Sequence, residues 1–311
     1  MSLHITAASR LNSVEEYYFS KKLKQIAALK ESGVPIINLG IGSPDLAPSS
    51  ETIAALTESA ANPGNHAYQG YQGIPALREA FASFYASHYG VTVNPTSEIL
   101  PLIGSKEGIM HIAMAYLEKG DVTLIPNPGY PTYSAACSLA GATVESYELS
   151  ASTGWLPDLK ALEKRDLSKV KIMWVNYPHM PTGAQATVEF FTELRDFAIR
   201  HSILLVNDNP YSFILNEKPM SMLSIPGMQD VAIELNSLSK SHNMAGWRIG
   251  AAFGKAEFLA PVLKFKSNMD SGMFLPLQQA AVKALSADSA WFENQNRIYR
   301  SRQKLVFELL D

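Results

Sequence analysis

The fold is indicated most clearly by residues 203–211, which read Ile203-Leu-Leu-Val-Asn-Asp-Asn-Pro-Tyr211. The first four residues are all apolar, as expected of a short strand that is covered on both faces of a sheet. Asn207 and Asp208 end the apolar run, and the following Pro210 is a residue that a central strand does not accommodate. Residues 170–175 have the same nearly continuous apolar character. Both stretches therefore predict strands in the middle of an α/β protein.

Short apolar runs alternate with longer amphipathic ones along the chain from about residue 98. Strands are predicted at 98–103, 122–125, 143–149, 170–175, 203–206 and 231–235. Helices are predicted between them at 105–118, 130–139, 158–164 and 189–200, and beyond Gly254 at 255–266, 276–286 and 290–310. Strands joined by helical segments predict a mostly parallel central sheet flanked by helices. In such sheets the ligands bind beyond the carboxyl ends of the strands.

Composition and charge exclude several classes of protein. The 311 residues carry 26 Lys and Arg against 29 Asp and Glu, a formal charge of −3. This balance gives no basic surface for nucleic acid or for an anionic membrane. No run approaches the ~18 consecutive apolar residues of a transmembrane helix. The length exceeds what one hydrophobic core usually supports, which predicts a large domain with a smaller one attached.

The cysteine content and the N-terminus indicate the compartment. The single cysteine, Cys137, cannot form an internal disulfide, and its small-residue surroundings predict a buried structural thiol. The N-terminus has no apolar segment followed by a small-residue cleavage site, so we expect a cytoplasmic protein.

Lys240 follows the predicted strand 231–235, in Ser237-Leu-Ser-Lys240, and Arg248 comes eight positions later. A lysine held in such a turn can lose enough solvent to act as a neutral amine and attack a carbonyl. The serines and Arg248 suit a phosphate dianion. The alternative is a solvated lysine in a polar loop, with Arg248 in a surface ion pair.

Two more strand ends carry polar groups. Asp208 ends the strand 203–206 and would need a cationic or protonated partner, such as a protonated pyridine nitrogen, if it is partly buried. It could instead open a turn before Pro210. Gly104-Ser-Lys-Glu-Gly108 joins a strand to a helix, where free backbone N–H groups form an anion site.

Three other chemistries lack their motifs. Gly40-Ile-Gly42 is no dinucleotide fingerprint because Asp45 stands in the place of the third glycine. No GxSxG is present, which removes the common serine-hydrolase turn. The histidines show no paired ligand spacing, so we expect no metal site; they include His66, His88, His111, His179, His201 and His242.

The three strand ends together describe a ligand with a phosphate, an aromatic cation and an aldehyde, and pyridoxal 5′-phosphate has all three.

With these motifs in place, the sequence resembles a known family over essentially its whole length. Its motifs are similar to those of the class I/II aminotransferases, which are fold-type I pyridoxal-phosphate enzymes, of the aspartate/LL-diaminopimelate aminotransferase-like type. The motifs are Asn38-Leu-Gly-Ile-Gly-Ser-Pro-Asp45, Tyr68-Gln-Gly-Tyr-Gln-Gly73 with Leu77-Arg78, Gly104-Ser-Lys106, Pro128-Gly-Tyr-Pro-Thr-Tyr133, Pro181-Thr-Gly183, Asp208-Asn-Pro-Tyr211 and Ser237-Leu-Ser-Lys240 with Arg248.

The resemblance implies catalytic roles at three positions. Lys240 looks like the Schiff-base lysine, which forms the internal aldimine with the cofactor and moves the proton between substrate and cofactor. Asp208 matches the residue that keeps the pyridine nitrogen protonated. Tyr211 matches the phenol that hydrogen-bonds the 3-oxygen of the cofactor.

The resemblance also implies a binding site. Tyr130 stands at the position that stacks on the cofactor ring, and Gly42 fits the glycine that admits the substrate carboxylate. Tyr68 matches a tyrosine that reaches the phosphate of the neighbouring subunit, which implies a homodimer. The expected phosphate ligands are the backbone amides of Ser105 and Lys106 with Ser237 and Arg248.

Two departures from the family pattern stand out. Members usually have Asn before Pro-Thr-Gly as a donor to the 3-oxygen, whereas Met180 stands here and cannot donate. Our hypothesis is that Tyr211 does this alone, which would raise the pKa of the internal aldimine. The second departure is that the sequence ends at Asp311, before the C-terminal part that carries the family's substrate-carboxylate arginine. Either the chain is cut off, which we expect, or this protein binds substrate carboxylates differently.

The expected domains follow from the resemblance. Residues 1–42 are an N-terminal segment that contributes to the small α/β domain, 43–290 form the large cofactor-binding domain, and 291–311 begin the linking helix into an incomplete small domain. The expected function is a transferase of nitrogenous groups in amino-acid metabolism, moving an amino group between an L-amino acid and a 2-oxo acid by a ping-pong mechanism. A carbon–sulfur β-lyase is the enzymatic alternative because the same residues support β-elimination. A non-catalytic cofactor-binding sensor is a third possibility, and the sequence has no DNA-binding module to support it.

Overall fold

The computed structural model describes residues 3–40 and 42–310. Eleven α-helices occur in these residues. They are α1 (Tyr18–Glu31), α2 (Ser50–Ala60), α3 (Pro75–Tyr89), α4 (Ser105–Tyr116), α5 (Pro131–Ala140), α6 (Leu159–Leu162), α7 (Val188–His201), α8 (Leu238–Ser241), α9 (Ala256–Lys266), α10 (Leu275–Leu285) and α11 (Ser289–Leu310). Seven strands accompany them: β1 (Ile99–Leu102), β2 (Val122–Asn127), β3 (Thr143–Glu148), β4 (Val170–Val175), β5 (Leu204–Asp208), β6 (Ala232–Ser237) and β7 (Gly250–Phe253).

The strands form one sheet in the order β1-β7-β6-β5-β4-β2-β3. Strand β7 is antiparallel to both of its neighbours, and every other strand runs in one direction. The predicted mostly parallel sheet is therefore confirmed. Strand β7 was missing from the sequence-based strands because Gly250-Ala-Ala-Phe253 has neither the length nor the β-branched residues that indicate a strand.

Both faces of the sheet are covered, as the apolar strands predict. On β5, Leu205 joins a core with the phenylalanines of α7, while the next residue, Val206, joins a second core against α4 and α5. Met173 and Trp174 divide in the same way on β4. This alternation is the period of two that a pleated strand imposes. Each fully buried aliphatic side chain in these cores contributes about 1.5–3 kcal/mol.

Helix α5 contains the single cysteine, and its side chain is buried as predicted. Cys137 donates to Thr123 Oγ1 over 3.8 Å, and burial raises the pKa of the thiol to about 11. A thiol with that pKa holds little nucleophilic thiolate at neutral pH. Its place is structural.

The first part of helix α11 packs against the core through Phe292, and residues 301–310 are exposed to solvent. Arg302, on its outer half, makes a bidentate pair with Asp45 at 2.8 and 3.0 Å. The pair is exposed to solvent, which screens its charges, so it contributes little to stability. None of the helices in residues 3–40 and 42–310 combines the length and apolar character that a membrane span requires.

Candidate active site

Four chain segments meet at one edge of the sheet. Strands β5 and β6 end there at Asp208 and Ser237, and β1 ends there just before Gly104. The antiparallel β7 begins at the same edge with Gly250, which pairs with Ser237. The polar groups that the sequence placed after three separate strands are thus brought together, as a parallel sheet requires.

Lys240 lies in the short helix α8, directly after β6. Its Nζ donates to the backbone oxygen of Gly42 over 2.6 Å and lies 5.9 Å from the ring centre of Tyr211. Burial lowers the pKa of the Lys240 ammonium, and the neighbouring Arg248 guanidinium lowers it further. A lysine with a lowered pKa is a neutral nucleophile for a larger fraction of the time.

Asp208 is the last residue of β5, and its side chain is buried. Tyr133 donates its hydroxyl hydrogen to Asp208 Oδ2 over 3.0 Å, whereas Oδ1 has no hydrogen-bond partner among the described residues. Burial raises the pKa of this carboxyl to about 7, and the nearby Glu234 adds to the rise. A buried oxygen without a donor is costly, so this carboxylate suits a ligand that brings an N–H.

An anion cradle lies where Gly104 and Gly250 meet. A methyl group on Gly104 would collide with the guanidinium of Arg248, and one on Gly250 would come within 2.9 Å of the Ser105 amide nitrogen. Both glycines therefore allow backbone amides and the guanidinium to approach one point. Gly104 also has φ +80°, in the left-handed region, and it caps the N-terminus of α4. Amides at a helix N-terminus favour an anion.

The remaining cradle groups come from the β6–β7 connection. Ser237 Oγ accepts from the amide of Ser239 over 3.2 Å, which caps α8. Arg248 donates to the backbone oxygen of Ala245 over 2.9 Å and to Ser239 Oγ over 3.3 Å. These bonds hold the guanidinium in place, and its planar fork suits a phosphate.

Tyr17 and Tyr130 lie close to each other and to other groups of the site. Tyr130 caps α5, and its hydroxyl lies 3.4 Å from that of Tyr17. Lys106 places its Nζ 4.0 Å from the centre of the Tyr17 ring. Sequence reasoning missed Tyr17; the one available signal was the aromatic run Tyr17-Tyr-Phe19 ahead of an otherwise polar helix. Burial and the Tyr130 phenol raise the pKa of Tyr17.

Tyr211 lies three residues beyond β5, beside Lys240. Burial and the Asp208 carboxylate raise the pKa of its phenol to about 12, so it is a donor at neutral pH. Gly42 is exposed, and a methyl group on it would meet no atom of residues 3–40 and 42–310 within 4 Å. The chain therefore leaves open space beside the carbonyl group that Lys240 contacts.

Tyr68 is the predicted site residue that lies outside this group. Its side chain is 92% exposed and projects into solvent. The next residue, Gln69, contacts the rest of the chain through its backbone. Its carbonyl oxygen lies so close to Gly272 that a methyl group on Gly272 would come within 2.5 Å of it.

The residues fit pyridoxal phosphate at each of its three functional groups. The cradle around Gly104 provides amides, a hydroxyl and a guanidinium for a phosphate. The free Oδ1 of Asp208 matches a protonated ring nitrogen, and Lys240 is a desolvated amine for the aldehyde.

Met180 lies at the border of the site. Its amide donates to Asn176 Oδ1 over 2.8 Å, and Asn176 Nδ2 donates to the backbone oxygen of Asp208 over 2.6 Å. The backbone at Met180 is thus tied to Asp208, although the thioether offers no donor.

A second cluster of ionisable groups combines two residues of α4 with one that follows α9. Glu107, His111 and Asp270 bring ligand-type atoms within 4.8 Å of one another, a grouping that the sequence spacing did not indicate. The buried ammonium of Lys266 pairs with Asp270 and lies 3.9 Å from Glu107. The cluster therefore has a positive charge from the chain itself.

Comparison with known proteins shows the family of this chain. The sequence pattern of the family described as "Aminotransferase class I and II" matches residues 34–311. An LL-diaminopimelate aminotransferase from Dehalococcoides mccartyi is 42% identical over 305 residues, which cover 97% of this chain and 79% of the relative. The apo structure of BacF from Bacillus subtilis superimposes with a TM-score of 0.92 at 38% identity, covering 96% of this chain and 77% of the other.

A more distant structure gives the same result. Aspartate aminotransferase from Thermus thermophilus with maleate has a TM-score of 0.92 at 26% identity and covers 98% of this chain and 80% of the other. The family match covers far more than half of the chain, and the fold-type I architecture is shared with each of these structures. The chain therefore belongs to the class I and II aminotransferases, which use pyridoxal phosphate.

Proposed function

We propose that this aminotransferase moves the amino group of an L-amino acid to a 2-oxo acid through the cofactor held at Lys240. The observation that carries the proposal is the position of Lys240, a desolvated amine at the sheet edge shared with Asp208 and Arg248. LL-diaminopimelate is the first amino donor to test, because a relative 42% identical is named for it.

The cofactor, when bound, supplies an aromatic ring that withdraws electrons from the carbon bearing the amino group. Asp208 would keep the ring nitrogen protonated through its free Oδ1. Tyr211, a phenol at neutral pH, would donate to the 3-oxygen. Lys240, whose lowered pKa favours the neutral amine, would take and return the proton at the substrate Cα.

The other side chains would bind and orient. We assign the phosphate to the amides of Ser105 and Lys106 with Ser237 and Arg248, whose guanidinium lies directly against Gly104. Tyr130 would stack on the cofactor ring. Gly42 would admit the substrate carboxylate, since its missing side chain leaves open space beside Lys240.

We further propose a homodimer in which Tyr68 reaches the phosphate of the partner's site. A tyrosine that is 92% exposed, next to a residue whose carbonyl packs against Gly272, supports this assignment. Light scattering should give the mass of two chains, and Tyr68→Phe should weaken cofactor binding without dissociating the dimer. A monomer that retains full activity would contradict it.

We also propose that the enzyme acts in the cytoplasm, on the free amino acids and 2-oxo acids there. Fractionation of cells that produce the protein should place it with the cytoplasmic markers.

The decisive experiment is a single turnover. Purified enzyme loaded with pyridoxal phosphate is mixed with LL-diaminopimelate and with a panel of other L-amino acids, in the absence of any 2-oxo acid. A productive donor converts the aldehyde form of the cofactor to the amine form, which changes its visible absorbance, and a 2-oxo acid then restores the original spectrum.

The outcomes separate the candidate functions. Stoichiometric conversion and its reversal by a 2-oxo acid support amino-group transfer. Continuous release of pyruvate and ammonia from a cysteine conjugate, with no conversion by any amino acid, would contradict it and indicate a β-lyase.

A further inference from the structure

We propose that Tyr133 is a positioning residue that fixes the Asp208 carboxylate, so that Oδ1 and not Oδ2 faces the ring nitrogen of the cofactor. This inference rests on the proposed function, because it assigns Tyr133 a task in holding Asp208 toward that cofactor. Tyr133 ends the motif 128–133, in which the sequence alone gave it no role.

The hydrogen bonds of the carboxylate are unequal. Oδ2 accepts from the Tyr133 hydroxyl over 3.0 Å, and Oδ1 accepts from no described residue. Both side chains are almost fully buried, with 1% of Tyr133 and 5% of Asp208 exposed. Water does not compete for Oδ2 at such burial, so the phenol leaves a single oxygen open.

The tyrosine itself is held rigidly. It lies in the first turn of α5, and its ring stacks on Trp174 of β4 with centroids 5.2 Å apart and planes at 15°. The backbone of Asp208 is held from the other side by Asn176, whose Nδ2 donates to the Asp208 carbonyl over 2.6 Å. Because the Tyr133 ring and the Asp208 backbone are both fixed, rotation of the carboxylate would break its hydrogen bond with the Tyr133 hydroxyl.

The phenol also acts on the charge of the carboxylate. Burial raises the pKa of Asp208, and the hydrogen bond from Tyr133 opposes that rise by favouring the ionised form. The other ionisable groups near Asp208 are Tyr211, in the connection after β5, and Glu234 on β6. Both remain when Tyr133 is changed, so loss of its hydroxyl should move the titration of Asp208 to higher pH.

Tyr147 provides a matched control. It is a buried tyrosine, 2% exposed, and donates its hydroxyl hydrogen over 2.6 Å to the backbone oxygen of Trp174, the residue on which Tyr133 stacks. Tyr147→Phe removes a buried phenolic hydroxyl from the same region and leaves Asp208 with all its partners. A purely structural role of the Tyr133 hydroxyl predicts the same behaviour for the two variants.

The experiment compares the loaded wild-type enzyme with Tyr133→Phe, Tyr147→Phe and Asp208→Asn, and with the double variant of Tyr133 and Asp208. For Tyr133→Phe we expect kcat to fall about tenfold with KM nearly unchanged, as for loss of one hydrogen bond to a charged group. The acid limb of its kcat profile should move up by about one pH unit. Tyr147→Phe should match the wild type in both, and Tyr133→Phe should change little in the Asp208→Asn background.

Several results would overturn the inference. These are equal kcat and pH profiles for the two tyrosine variants, or a full additional loss from Tyr133→Phe when Asp208 is already Asn. If Tyr133→Phe does not retain the cofactor, the pKa of Asp208 is measured instead from the pH dependence of unfolding of the cofactor-free variants. A pKa equal to that in Tyr147→Phe overturns the inference. A pKa higher than that in Tyr147→Phe supports it. Failure of the wild type to convert its cofactor with any amino acid would instead refute the proposed function.

Discussion

Asp208 should make the cofactor-free protein less stable as the pH rises from about 4 to about 7. Its carboxyl has a pKa of about 7 in the fold, against 3.8 for an unburied aspartate, because burial disfavours the charged form. Between these two values the folded chain holds a proton that the unfolded chain has released. The contribution of Asp208 to stability is therefore most favourable at low pH, falls as the pH rises toward 7, and changes little above it.

The magnitude follows from the two pKa values. The full difference corresponds to about 4 kcal/mol, of which about 2 kcal/mol falls between pH 5 and pH 7. Asp208→Asn has no ionisable group at this position and lacks this decline. The variant should therefore gain about 2 kcal/mol relative to the wild type over that range.

The assay is urea unfolding of the two cofactor-free proteins at pH 5, 6, 7 and 8, followed by circular dichroism. The difference between the proteins isolates Asp208, since the other titrating groups are common to both. Asp166→Asn is the control, because hydrogen bonds lower the pKa of this exposed carboxyl. The contribution of Asp166 to the free energy of unfolding is therefore lost only in more acidic solution and stays constant from pH 5 to 8. Parallel pH dependences for wild type and Asp208→Asn would refute the reasoning.

Two further substitutions test the cradle and the 3-oxygen contact. Gly104→Ala should weaken pyridoxal-phosphate binding at least tenfold in a fluorescence titration, because the new methyl group displaces the Arg248 guanidinium. Gly90→Ala is the control, because Gly90 has φ +66° and no atom of the described residues within 4 Å of the added methyl group. This variant should lose about 1 kcal/mol of stability through backbone strain and bind the cofactor normally. Met180→Asn should add a donor that acts with Tyr211 and lower the pH at which the visible absorbance of the bound cofactor changes, and an unchanged titration would show that residue 180 does not contact the cofactor's 3-oxygen.

The sheet and its ligand edge could be predicted because they depend on local patterns. Continuous apolar runs such as 170–175 predict buried strands, and the polar residues that follow them lie at one edge by the geometry of parallel strands. These two patterns are sufficient to bring Asp208 and Lys240 together at that edge, whereas Arg248 is placed by strand β7, which they do not reveal. The roles assigned to these residues came from the family resemblance and stay predictions.

The features that were missed depend on contacts between distant residues. Tyr133 forms a hydrogen bond with a carboxylate 75 positions away, and Tyr17 forms one with Tyr130 across 113 positions. No local sequence pattern predicts either contact. Strand β7 is recognisable only through its pairing with β1 and β6, which fixes four small or apolar residues in the sheet. The domain division at residues 42 and 290 likewise stays a prediction.

The central claim is that Lys240 holds the cofactor, and its location can be measured directly. The loaded enzyme is treated with borohydride, which reduces an imine to a stable amine, and the digested protein is analysed by mass spectrometry. We predict the cofactor on the peptide that contains Lys240 and on no other, with no attachment in Lys240→Ala. Attachment to Lys106, the other lysine of the site, or turnover that persists in Lys240→Ala would contradict the claim.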